Sequence, residues 1–112
     1  MRFVIKEHHA ERAGLHYDLR LEEEGVLKSW ALSKGLPSKG QRHLAIKTVD
    51  HPLEDLDFEG TIEEGYGKGE VEIYDSGTYT RLSLNQIKLQ GDKISGIYNL
   101  FPWNGSRWLI TQ

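Results

Sequence analysis

The sequence predicts a mainly all-β fold, an antiparallel barrel or sandwich of eight or nine short strands with one or two short helical turns. Three observations carry the prediction. The stretch Leu15 to Glu22 alternates strictly, with Leu15, Tyr17, Leu19 and Leu21 on one side and His16, Asp18, Arg20 and Glu22 on the other. Side chains in a strand change face at every residue, so this is a half-buried strand. Turn signals recur between short alternating runs: Glu23-Glu24-Gly25, Asp75-Ser76-Gly77, Gly91-Asp92 and Asn104-Gly105. Finally, the 112 residues include 12 glycines and few long stretches with helical spacing.

The elements follow in order. Arg2 to Lys6 reads as a strand with Phe3 and Ile5 facing one way, and Glu7 to Gly14 as a loop carrying His8 and His9. The alternating strand comes next, then a hairpin turn and a return strand, Val26 to Leu32, with Trp30 in the core or lining a site. Ser33 to Gln41 is a loop with Pro37, Lys34 and Lys39. Arg42 to Val49 is a strand ended by Asp50-His51-Pro52, and proline pushes His51 into extended geometry, which places it at the strand end. Leu53 to Phe58 reads as a helical turn, and the glycine-rich Glu64 to Gly69 as a tight turn between strands. Glu70 to Tyr74, Thr78 to Leu82, Gln86 to Gln90, Lys93 to Leu100 and Arg107 to Thr111 complete the strands.

Length fits one domain over residues 1–112 with a single core. With no cysteine, disulfides and thiolate metal sites are excluded. No apolar run approaches the ~20 residues of a membrane span, and Met1 to Glu7 lacks the apolar core of a signal peptide. A soluble, cytoplasmic monomer that does not engage membranes is expected. The net charge of −3 argues against coating nucleic acid by bulk electrostatics, but not against gripping one strand end through a local basic patch and a metal.

All five histidines, His8, His9, His16, His43 and His51, fall in the first 51 residues, which favours a site built on the N-terminal half. His8, His16 and Asp18 form a candidate metal set, two imidazoles and a carboxylate that leave coordination positions open. Surface histidines offer the plainer reading. Arg20, His51, Lys34 and the Arg42-His43 pair form a candidate phosphate set, because phosphoryl chemistry needs positive groups at the phosphate oxygens and a means of protonating the leaving oxygen. Taken singly, Lys34 and Arg42 read equally as surface charge.

These residues carry a family likeness. His8, Ala10, Leu15 to Glu22, Ser29-Trp30-Ala31, Asp50 to Leu53, Asp57 to Ile62 and Gly65 to Gly69 together resemble the 3′-phosphoesterase domain of DNA ligase D, in a compact, stand-alone version. The resemblance implies a compact antiparallel β-barrel of about eight short strands. It implies a metal-dependent hydrolase, preferably with manganese, that removes a 3′-terminal ribonucleoside from a DNA or RNA primer and then the 3′-phosphate, leaving a 3′-hydroxyl for repair. It implies that His8, His16 and Asp18 bind the metal, that Arg20 and His51 engage the scissile phosphate, and that Lys34 with Arg42 or His43 assists. A separate DNA ligase or polymerase is the expected partner beside the primer end.

The sequence also departs from the family pattern. The loop before His16 is longer by Ala13-Gly14, which leaves His9 as an alternative ligand to His8. Val49 stands where a glutamate is common, Asp55 where a phosphate-site tyrosine is common, and His43 where an arginine is common. A non-catalytic module that binds nucleic-acid ends for a separate ligase or polymerase is the alternative reading.

Overall fold

The computed structural model describes residues 1–112. Its sheet contains nine antiparallel strands: β1 (Arg2–Ala10), β2 (Gly14–Glu23), β3 (Val26–Leu32), β4 (Arg42–His51), β5 (Gly60–Ile62), β6 (Gly69–Ser83), β7 (Gln86–Gly91), β8 (Ser95–Asn104) and β9 (Arg107–Thr111). The neighbour order β1-β2-β3-β4-β9-β8-β7-β6 returns to β1 through a β1–β6 pairing, so eight strands close into a barrel and β5 extends β6. Closure removes the unpaired edges that an open sheet would present.

Alternation assigns the two faces of the wall. Phe3 and Ile5 on β1, Leu19 and Leu21 on β2, Trp30 and Leu32 on β3 and Ala45 on β4 meet Ile87, Leu89, Leu100 and Ile110 in one buried cluster. A second, small cluster lies on the outside of the wall, where the 3₁₀ turn Leu53–Asp57 lays Leu56 against Val4 and Leu27. No helix is long and apolar enough to cross a membrane.

The structure corrects four element boundaries. His8 and His9 lie within β1, not in a loop; His8 pairs across the ladder with His16 and Ala10 with Gly14, so the longer loop is absorbed in the β1–β2 turn. Gly60 to Ile62 forms β5, a strand that alternation over so few residues does not reveal. The third is Asp75-Ser76-Gly77, which does not turn: β6 runs through it with an irregularity opposite Ile5 and Lys6. The carboxylate of Asp75 accepts backbone N–H groups of Ser76, Asp92, Lys93 and Ile94 at 2.6–3.1 Å. A turn-forming aspartate is thus present, but it organises the β7–β8 connection. The last hairpin is also shifted: Asn104 pairs with Arg107, so Gly105-Ser106 forms the loop, with Gly105 at φ 61°.

Candidate metal and phosphate site

The polar face of β2 points away from the barrel core. His16, Asp18 and Arg20 form a row along it, with His8 across the ladder on β1. The outer faces of β2, β3 and β4 and Tyr66 and Gly67 of the β5–β6 loop enclose a cleft of about 500 Å³.

His8, His16 and Asp18 converge so that one ligand atom from each lies within 4.8 Å of the others. His8 Nδ1 is 3.0 Å from Asp18 Oδ2, and His16 Nε2 is 3.2 Å from Asp18 Oδ1. The remaining ring nitrogens face backbone carbonyls: His8 Nε2 lies 2.7 Å from Gly67 O, and His16 Nδ1 lies 3.1 Å from Gly14 O. A carbonyl can only accept, so each ring donates there; the other nitrogen donates to Asp18 while the ring is protonated and would offer its lone pair to a cation once that proton leaves. This is the arrangement that prepares a histidine for a cation. Burial alone would raise the pKa of Asp18, but hydrogen bonds from His16 and His8 and the charge of Arg20 outweigh it and hold the carboxyl well below the usual carboxylate range. The donor set therefore fits a divalent cation with open positions toward the cleft. His9 does not join it; its ring is half exposed and lies 3.5 Å from Glu7.

Arg20 and His51 also meet, although 31 residues separate them. Arg20 Nη1 donates to Ser29 Oγ at 2.9 Å and to His51 Nδ1 at 2.8 Å. Arginine has no acceptor, so His51 Nδ1 carries a lone pair and its proton sits on Nε2. Burial, then the charge of Arg20, lowers the His51 pKa and keeps the ring neutral. The other terminal nitrogen of Arg20 makes only a 3.7 Å approach to Asp18. A clamp for an anion thus stands beside the metal set.

Lys34, Arg42 and His43 are not brought to this cleft. Lys34 lies at a separate cavity with Tyr17 and Tyr74, and Arg42 at the β4–β9 rim with Thr111 and Gln112. His43 lies 2.8 Å from Gly35 O and braces the β3–β4 loop. It occupies the same face of β4 as buried Ala45, which is why it cannot join the outer row.

Several contributors were not singled out in the sequence. Ser29 was legible by parity, since it falls on the face of β3 opposite Trp30. The carbonyls of Gly14 and Gly67 carry no residue-type signal. Lys6, 2% exposed on the outer face of β1, donates to the Asp55 carbonyl and ties the 3₁₀ turn to the wall.

A family model described as the DNA ligase D 3′-phosphoesterase domain matches residues 6–102. The chain belongs to that family. Curated relatives include the multifunctional non-homologous end joining DNA repair protein LigD of Mycobacterium tuberculosis, 51% identical across 96% of this chain. The corresponding LigD proteins of Mycolicibacterium smegmatis and Pseudomonas aeruginosa are 42% and 38% identical across 96% and 100% of the chain. The chain spans only 15–16% of the length of these relatives. In this phosphoesterase-family chain, every candidate metal and clamp residue lies within the matched span.

Proposed function

We propose that the chain is a metal-dependent phosphoesterase acting on the 3′ end of a nucleic-acid strand. It removes a 3′-terminal ribonucleoside and then the 3′-phosphate, and leaves a 3′-hydroxyl. The observation that carries this reading is the outer row in which His8, His16 and Asp18 adjoin Arg20 and His51. Family membership supports the phosphoester class, and the end-joining names of the relatives support a DNA-end substrate.

His8 Nδ1, His16 Nε2 and Asp18 would hold a divalent cation, manganese being the expected one, which supplies positive charge against the phosphate oxygens. Arg20 directs its unshared Nη2 protons at a second oxygen and neutralises charge that builds in the transition state. Neutral His51 offers Nε2–H to the phosphate or to the leaving oxygen, and its bond from Arg20 fixes that tautomer. Ser29 positions Arg20. Water is the attacking group, and a ligase or polymerase is the expected user of the 3′-hydroxyl.

A labelled primer-template ending in one ribonucleotide tests the reading. With manganese, stepwise shortening to a 3′-phosphate and then a 3′-hydroxyl is expected, and chelator abolishes both steps. His16→Ala and Asp18→Ala should each lose turnover while remaining folded. Full activity in either variant, or in chelator, would overturn the metal assignment. Tight binding of the end without turnover in any divalent metal would instead identify a non-catalytic module.

A further inference from the structure

Beside the charged row the outer wall changes character. Asp18 on β2 pairs with Ala31 on β3, and Ala31 pairs with Ile46 on β4. Arg20 pairs with Ser29, and Ser29 with Thr48. Between the charged face of β2 and the outer face of β4, β3 thus contributes only small side chains. Two strand spacings separate β2 from β4, roughly 9–10 Å. The result is a trough floored by Ala31, with the metal and phosphate groups along one side and Leu44 and Ile46 along the other, all lining the same cleft. Leu44 is 40% exposed and Val49 beyond it 76% exposed. Open apolar side chains facing a row of charges are a wall without an occupant.

We propose that this trough seats the nucleobase of the nucleotide carrying the scissile 3′-phosphate. The inference rests on the phosphoesterase reading and adds the subsite to it. Three features point to this occupant. The trough is continuous with the groups that would hold the phosphate, so what fills it is covalently near a phosphate. Its floor and far wall are apolar and present no base-edge donor or acceptor at Ala31, Leu44 or Ile46, which suits the face of a base of any identity. That nucleotide is also the one present in both steps, first as the diester and then as the monoester. The base lies against Ile46 and Leu44 and stands over Ala31, while its phosphate reaches Arg20 and His51.

The test compares two primers that end in a 3′-phosphate, one with a normal terminal nucleotide and one abasic there. Binding is read by fluorescence anisotropy in chelator, and turnover separately with manganese. Wild type should bind the normal end about tenfold more tightly than the abasic end, because a base face leaves water against the aliphatic side chains of Leu44 and Ile46. Ala31→Leu fills the trough and should erase that preference by weakening the normal end toward the affinity of the abasic end. Leu44→Ser, at an exposed position with no core role, should narrow the preference. Equal binding of both ends by wild type, or an undiminished preference in Ala31→Leu, would overturn the proposal. A preference without turnover in any metal would preserve the subsite and defeat the catalytic reading.

Discussion

Gly67 lets the β5–β6 loop approach His8 closely enough to hold its ring. A Cβ at that position would lie 3.3 Å from His8 Cε1, so Gly67→Ala should turn the imidazole and weaken its tie to the carbonyl. Manganese affinity is expected to fall about tenfold, with the far-ultraviolet spectrum unchanged. Titration calorimetry checks it, and unaltered affinity would deny the loop its orienting role. Asp55 has the opposite kind of influence. Burial lowers the pKa of Lys6, Arg20 and His51, and the charge of Asp55 opposes part of that lowering at each. A negative charge beside the clamp opposes a monoester dianion more than a diester monoanion. Asp55→Asn should therefore speed phosphate removal relative to ribonucleoside removal, by about fivefold for an interaction of about 1 kcal/mol. Separate single-turnover rates for the two steps measure that ratio. At this scale His16, Asp18 and Arg20 were legible because strict alternation placed them on one face. The sequence grouped His51 with Arg20 as phosphate residues, but their direct contact was not legible, since the β3–β4 register that delivers it is a product of the folded sheet. Lys34, Arg42 and His43 show the limit of charge as a signal: position on a wall decides what a basic residue can reach.

Among the elements, β6 and the β7–β8 connection depend on one carboxylate. Asp75 is 5% exposed and satisfies four backbone donors. Asp75→Ala would leave those donors without their acceptor, at a cost of about 3 kcal/mol. Urea denaturation reads the loss, and a shift under 1 kcal/mol would mean that water replaces the carboxylate. Burial alone would raise the Asp75 pKa, but the N–H groups of Ile94, Lys93, Asp92 and Ser76 outweigh it and lower it below 3.8. The stabilisation is therefore present above that value and disappears as the pH falls through the lowered one. The same residue explains why Asp75-Ser76-Gly77 misleads. A local turn code and a long-range cap use the same residue types, and only the partner strands distinguish them. β2, whose pattern extends over eight alternating residues from Leu15 to Glu22, left no such ambiguity.

At the scale of the molecule, the site is assembled from β1, β2, β3 and β4 of one closed sheet, so a cation gripping β1 and β2 is linked to the stability of the whole barrel. At one hundred times its dissociation constant, a ligand that binds only the folded state stabilises it by about 2.7 kcal/mol. For a chain of this size that corresponds to a rise in Tm of about 10 °C. Calorimetry with and without manganese should show the rise in wild type and its absence in Asp18→Asn. An equal rise in both proteins would place the cation elsewhere. The barrel class was legible in the run of short strands and turns, whereas closure itself, through the pairing of β1 with β6, carries no mark in local sequence.

The outward placement of the site has a consequence for how such a protein can change. Along β2 the odd positions Tyr17, Leu19 and Leu21 hold the wall together, and the even positions His16, Asp18 and Arg20 carry the candidate metal and phosphate groups. Across the next hairpin the phase flips, with Trp30 and Leu32 inside and Ser29 and Ala31 outside. A saturation-mutagenesis scan scored for abundance and for catalysis should therefore resolve into two interleaved combs that change phase from strand to strand. New chemistry can be written on one comb while the other keeps the vessel intact.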